Sequence, residues 1–443
     1  MPPSFPIRPA LRRSLLCAAF GSLLLGCTCQ AQTSQSDSAC MSIPELSLQQ
    51  ALQLALSCNH DLKSARIAID SAAAASTIAA AAPNPSMTIQ TAGINPHLGI
   101  GAAGLRSKTV DSTWRIDQLI ERGGKRELRS ANAELLLQAS RHDASDTRRQ
   151  LRQAASAAYF DLIAAQYKLA ISRTTSTLFK STVAAANARQ QAGDLAGADA
   201  ARIRIDALRA ASDARQAAAD LLRTQSALLI MLGVDGDPQL LRAIDDWPGM
   251  PSLPLPASNE SMLAQRADVK AAQARVEAAI AGRNLALAAK TRDISVGVQF
   301  EHYPTSLGNQ QGSGNSYGVS VQIPLFTRYE FQGEIRAAEA ALDAARDNLD
   351  KTRAAARADW LLAIETQAAA SEQVMRFRSE LLPAARLSAE AAEYAFKHGA
   401  LAVMDVLDAR RIYRATEMDA INAQSDLAKA QAMLNTTILE LDK

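Results

Sequence analysis

"GDLAGADAARIRI", residues 193–205, and "GALAVMDVLDARR", residues 399–411, are one phrase written twice. At an offset of 206, Gly193 falls on Gly399, Leu195 on Leu401, Ala196 on Ala402, Asp199 on Asp405 and Arg204 on Arg410. A glycine between two helical stretches ends the first by taking a left-handed conformation. An aspartate soon after it can cap or begin the returning helix. The phrase therefore predicts the tip of an αα-hairpin, once in each half of the chain.

The repetition extends beyond the tips. "HDLKSARIAIDSAAAA" (60–75) aligns with "ADVKAAQARVEAAIAG" (267–282) at an offset of 207, with Asp61 on Asp268 and Lys63 on Lys270. So long a period is not that of a solenoid and fits the duplication of one large unit. Residues 45–235 form the first repeat and 259–443 the second, and a Pro/Gly-rich linker spans 236–258. Upstream of the first tip, Leu151, Ala155, Ala158, Leu162, Ala165 and Leu169 follow heptad spacing, with no Gly or Pro from 126 to 192. Aromatics are only 4% while alanine runs such as "AAAASTIAAAA" recur, which favours long, closely approaching helices. The net charge of +2 comes from interspersed signs, which leaves no basic stripe for nucleic acid.

A second pattern interrupts the helices. In "DISVGVQF" (293–300), Ile294, Val296, Val298 and Phe300 alternate with polar or small residues; in "YGVSVQIPLF" (317–326), Tyr317, Val319, Val321 and Ile323 do the same. Each reads as a strand with one apolar and one polar face. The first half offers a weaker pair near 86–93 and 110–121, where Trp114 and Ile116 mark the apolar face. A lone hairpin is marginal in water, and a lipid-facing barrel wall gives its apolar face a destination. Four strands are too few to close a transmembrane barrel, so this reading requires eight from two copies or twelve from three.

The N-terminus reads as an export signal over 1–26: a charged "RPALRRS", then the apolar "LLCAAFGSLLLG". "LLGC" ending at Cys27 has the form of a bacterial lipobox, and cleavage after Ala31 is the rival reading. Residues 27–44 are an N-terminal extension. Five cysteines lie at 17, 27, 29, 40 and 58, without metal-site spacing. In an oxidising compartment Cys40 and Cys58 could bridge, and two unpaired thiols fit the sequence as well. The histidines at 60, 97, 142, 302 and 398 form no H-x-x-x-H or H-E-x-x-H pair. No nucleophile, base and orienting group share a neighbourhood, and no cofactor or metal site is expected.

Together "LSLQQALQLALSCNHDLKSAR" (46–66), "QLIERGGKRELRSANAE" (118–134), "QIPLFTRYEFQGEIRAAEAAL" (322–342) and "FKHGALAVMDVLDARR" (396–411) resemble the TolC-like outer-membrane efflux factors over almost the whole mature length. "GGKR" at 123–126 looks most like the branch serving cobalt-zinc-cadmium and copper-silver efflux. The resemblance implies a mostly α fold with a small β part. It further implies a homotrimer whose twelve-stranded outer-membrane barrel continues into a periplasmic α-barrel. The implied partners are outer-membrane lipid, a periplasmic adaptor and an inner-membrane RND pump.

The resemblance also puts Gly193 and Gly399 at the periplasmic end of such a tunnel. Asp194, Asp199 and Asp405 become candidates for an acidic ring there, since a ring of carboxylates concentrates cations. Arg202, Arg204, Arg410 and Arg411 could pair with those acids or with the adaptor, and intrahelical pairing suits them equally. Two other readings stay open: a duct for drugs or for type I secretion, and a lipid-tethered coiled-coil scaffold with no pore.

Overall fold

A computed structural model of the chain describes residues 44–94, 97, 110–250, 260–305, 314–398 and 400–438. The signal region, Cys27 and Gly399 lie outside them. The first repeat holds β1 (Glu45–Leu46), α1 (Leu48–Cys58), α2 (His60–Ala80), β2 (Ser86–Ala92), β3 (Asp111–Ile120), α3 (Lys125–Gln191) and α4 (Gly197–Leu232). A 3-10 turn and β4 (Arg242–Ala243) follow. The second repeat holds α5 (Glu260–Ala264), α6 (Ala267–Ala288), β5 (Ile294–Tyr303), β6 (Gly314–Gln322), α7 (Gln332–Arg376), a π turn at Phe377–Leu381, α8 (Leu382–Lys397) and α9 (Val403–Ile438).

The duplication is visible in the element boundaries. α4 and α9 are each 36 residues long, and both their starts and their ends are 206 apart. The long helix begins 207 residues earlier in the first repeat and ends 206 earlier, so one residue of phase is lost inside it. α3 runs unbroken for 67 residues, or ~100 Å at ~1.5 Å per residue, whereas its counterpart carries the π turn.

The heptad seam packs as its spacing predicts. Leu151, Ala155, Leu162, Ala165 and Leu169 are buried, and Ala158 packs half-buried beside them. Small alanines in the seam let α3 approach its neighbours closely, while each buried leucine contributes roughly 1.5–3 kcal/mol of transfer free energy. Leu46, Ala51, Ala55 and Leu62 from the chain start join this core, as do Leu228, Leu229 and Leu232 from the end of α4.

One polar knot sits inside that core. The buried Tyr159 hydroxyl donates to the Leu46 carbonyl at 2.9 Å and lies 3.0 Å from Asp245 Oδ2. The same carboxylate accepts the Leu48 N–H at 2.6 Å, so a linker residue satisfies an orphan donor at the start of α1. β1 and β4 pair in parallel, Leu46 opposite Ala243, which ties the linker to the chain start. Cys58 is buried and disulfide-bonded, and its partner lies outside the described residues.

The "GGKR" motif closes the junction between helices and strands. Gly123 and Gly124 have φ of 76° and 68°, and a Cβ on Gly123 would come 2.9 Å from the Thr291 side chain. Lys125 Nζ then reaches the Thr291 carbonyl at 2.7 Å and both Asp293 carboxylate oxygens at 2.9 Å, joining the two repeats. Arg126 Nε donates to the Ala80 carbonyl at 2.7 Å and Arg129 Nε to the Ala79 carbonyl at 2.9 Å. These are last-turn carbonyls of α2, which otherwise have no partner, and cations favour that end of a helix dipole.

Arg129 also holds Glu121 at 2.7 Å. That hydrogen bond keeps the Glu121 carboxyl below the ordinary glutamate range, against the opposing effect of burial. A depressed folded-state pKa stabilises the fold above the unfolded pKa and loses its contribution as pH falls through the folded one. Glu121→Gln should therefore cost about 1 kcal/mol at pH 7 and progressively less in the acid range. Denaturant midpoints of both forms across pH 3–7 measure this, and a gap that does not change with pH would count against it.

Candidate functional site: a two-faced sheet and two hairpin tips

The four strands form one sheet in the order β2-β3-β5-β6, all antiparallel, with the central contact crossing between repeats. Register places Trp114 opposite Phe300 and Phe300 opposite Tyr317; Ile116, Val298 and Val319 form the next row. Ile294, Val296 and Val321 share that face by alternation, together with Met87 and Ile89 of β2. Along the aromatic row Trp114 stacks on Phe300 and Phe300 meets Tyr317 at a tilt of 49°, with ring centroids 5.4 Å apart in both pairs. Ile323 falls one residue past the end of β6.

This apolar face is open: Tyr317 is 83% and Val319 77% exposed. The opposite face carries Thr88, Gln90, Thr113, Arg115, Asp117, Gln299, Glu301, Ser316, Ser320 and Gln322. Within the sheet, β2 and β6 are both edges, and each presents unpaired backbone groups along one side.

At the first tip α3 ends in a Schellman closure: Asp194 N–H donates to the Arg189 carbonyl at 2.9 Å and Gly193 N–H to Gln190 at 3.1 Å. Gly193 takes φ 86°, and nothing lies within 4 Å of a Cβ built there, so backbone conformation alone demands glycine. At the second tip Ala400 N–H donates to the Ala395 carbonyl at 2.9 Å, the counterpart of the Asp194–Arg189 bond. His398 Nδ1 lies 2.8 Å from the Tyr394 carbonyl, and its ring packs on Tyr394 at 4.2 Å.

Asp199 and Asp405 are not caps. Each sits in the first turn of its helix, where a carboxylate still complements the N-terminal dipole, and the N-cap of α4 is Ala196, which has no side chain to cap with. Asp194 is exposed at the tip. Arg202 pairs within its helix with Asp199 at 3.7 Å, and Arg204 is exposed with no ion pair among the described residues. Arg410 Nε holds Glu393 of the same hairpin at 2.7 Å.

Arg411 does more. It pairs with Asp408 on its own helix at 2.7 Å and reaches Asp206 of the first hairpin at 3.1 Å. One turn later Arg414 pairs with Asp213 across the same gap at 3.0 Å. Asp206 and Asp213 are seven apart on α4, so both face the gap; that heptad spacing was a signal available in the sequence. Nearer the tip an apolar contact joins the hairpins, where Ala186, Ile203 and Leu407 are buried with Leu195, Val403 and Met404 around them. Between the hairpins lies a groove of ≈ 790 Å³ lined by Asp206, Asp213, Arg386, Glu390, Arg411 and Arg414 among others. Among the described residues no cluster of three metal-ligating side chains occurs, and no helix is long and apolar enough to cross a membrane.

Residues 259–438 match the family described as outer membrane efflux protein. The chain is 25% identical over 371 residues to the cobalt-zinc-cadmium resistance protein CzcC of Cupriavidus metallidurans, covering 83% of each chain. Outer membrane efflux protein BepC of Brucella suis is 30% identical over 136 residues, 29% of this chain and 26% of that one. Among solved structures, CusC superposes with a TM-score of 0.74 at 20% identity, covering 88% of this chain and 91% of the other. The Campylobacter jejuni CmeC outer membrane channel gives 0.74 at 17% identity, covering 88% and 85%. The second repeat thus matches the outer membrane efflux protein family, the chain is related to CzcC over most of both lengths, and its fold is shared with solved outer-membrane channels.

Proposed function

We propose that the chain is the outer-membrane exit duct of a tripartite RND-type exporter, assembled as a homotrimer, with heavy-metal cations as its cargo. The observation that carries this reading is the sheet, with an exposed apolar face, a polar face and two open edges. Water would penalise that apolar face, whereas lipid accepts it. Three copies, β6 of one pairing with β2 of the next, would close twelve strands and leave no edge. The polar face would then line water. The metal cargo is supported by the likeness to CzcC, and a proton-driven inner-membrane pump would choose it, so no metal ligands are needed in the duct. The tips would face the periplasm and an adaptor, with Asp194, Asp199 and Asp405 around the opening. An acyl chain on Cys27 would anchor the mature start, and acyl-chain labelling lost in Cys27→Ala checks that part.

Purified chain reconstituted into planar bilayers should give discrete channels, and a deletion strain should lose tolerance to cobalt, zinc, cadmium or copper by roughly tenfold or more. A soluble monomer without conductance would remove the duct in favour of a scaffold. Unchanged metal tolerance with new drug sensitivity would keep the duct and remove the cation cargo.

A further inference from the structure

On the polar face of the sheet two pairs of long side chains lie along the wall, each over a glycine of the next strand. Arg115 and Asp117 are neighbours on that face of β3, and the guanidinium grips the carboxylate through Nε at 2.7 Å and Nη2 at 2.8 Å. The pair lies over Gly297 of β5, which is directly opposite Asp117 and next to Ser320 of β6. Gly297 is the one buried residue of β5, although the sheet is open on both faces. A Cβ built there would fall 2.3 Å from Asp117 Oδ1, 2.6 Å from Ser320 Oγ and 3.3 Å from Arg115 Nε.

The same arrangement recurs one strand over. Gln299 donates to Glu301 at 2.9 Å and lies over Gly318, where a Cβ would come 2.9 Å from Gln299 Cγ and Nε2. Both glycines have ordinary strand backbone, so no left-handed conformation calls for them. Their missing side chains are what the neighbouring polar groups use.

We propose that Gly297 is a positioning residue of the lumen: by leaving room for Asp117 it lets the Arg115–Asp117 pair lie flat on the wall, so that the guanidinium neither narrows the path nor offers free positive charge to it. This rests on the duct reading, in which the polar face lines water. The consequence is for cationic cargo. An unpaired arginine on each of three chains would raise a positive potential across a narrow lumen and repel a cation, whereas the neutralised pair leaves Glu301 and Asp111 as the remaining charges of that face.

The test uses full-length chain in outer-membrane vesicles with Thr113→Cys, two residues from Arg115 on the same face. Cationic and anionic thiosulfonate reagents of equal size are added from outside, and labelling of the chain without Thr113→Cys is subtracted. Asp117→Asn should raise the anion-to-cation rate ratio about tenfold, and Arg115→Ser in that background should return it to the starting value. Gly297→Ala should slow both reagents by about twofold or more, and Arg115→Ser should relieve this as well. A cysteine at 113 that neither reagent reaches would overturn the duct reading and this inference with it. A reachable cysteine whose rates ignore all three substitutions would overturn the inference alone. Should Gly297→Ala fail to insert, the ratio in Asp117→Asn, which adds no bulk, still decides.

Discussion

Gly233→Ala should be among the most damaging single-methyl additions in this chain, costing about 3 kcal/mol or more, while Gly193→Ala should cost only about 1–2 kcal/mol. Both glycines follow a long helix in a left-handed conformation, with φ of 66° and 86°. The difference is space. A Cβ at Gly233 would stand 2.6 Å from the Cys58 carbonyl and 2.9 Å from Asn59 Cα, which are backbone atoms unable to rotate away. Gly193 has nothing within 4 Å and carries only the conformational penalty.

The contact at Gly233 also holds a shared cap. Buried Asn59 accepts the Asp61 and Leu62 N–H groups with its Oδ1, at 2.8 and 3.2 Å, and donates through Nδ2 to the Met231 carbonyl at 2.8 Å. It thus caps the start of α2 and the end of α4 at once. Pushing α4 away would leave both unsatisfied inside the core. Denaturant unfolding of the two variants beside the parent measures the contrast, and equal losses at the two glycines would show that the close approach has no energetic weight.

Much of this architecture is legible from local pattern. Heptad spacing from Leu151 to Leu169 reads correctly because a helix repeats its own face, and strand alternation from Ile294 to Phe300 reads correctly for the same reason. The glycine at 193 is legible because its conformation is a local demand. What escapes is every feature made by meeting at a distance. Alternation says which residues of β3 share a face and nothing about β5 being the neighbour, so the Trp114–Phe300–Tyr317 row is invisible until the strands are paired.

The roles of Lys125, Arg126 and Arg129 escape in the same way. The arginines reach the last carbonyls of α2, 46 and 50 residues upstream, and the lysine reaches the connection between α6 and β5, 166 residues downstream at Thr291. Tyr159 reads as an apolar neighbour of the leucine–alanine seam, yet its hydroxyl organises Leu46 and Asp245. Position 331 shows the limit most plainly. It matches Gly124 as the left-handed residue before a long helix, but the chain places phenylalanine there at φ 62°, packed on Phe326 at 5.1 Å.

The cross-hairpin pairs carry the other large expected effect. In the proposed duct, opening the tip end would move α8 and α9 relative to α3 and α4; near the tips an apolar cluster, two arginine–aspartate bridges and the Arg189 guanidinium over the Phe396 ring, 5.6 Å from its centroid, join the two hairpins. Asp206 is well shielded, at 12% exposure, while Arg411 and Asp213 are more than half exposed, so each bridge contributes about 0.5–1 kcal/mol rather than the value of a dry pair. Removing both with Arg411→Ala and Arg414→Ala should shift the closed-to-open balance by about 1–2 kcal/mol, a rise in open population of roughly five- to thirty-fold. Bilayer recordings read this as open probability, and high salt should narrow the gap between parent and variant, since exposed charges are screened. Arg204→Ala, at an exposed arginine on α4, serves as the control and should leave gating unchanged. If the double variant opens no more often than the parent at low salt, the apolar contact of Ile203 and Leu407 and the Arg189–Phe396 contact must hold the hairpins, and Arg411 and Arg414 only solvate the groove between them.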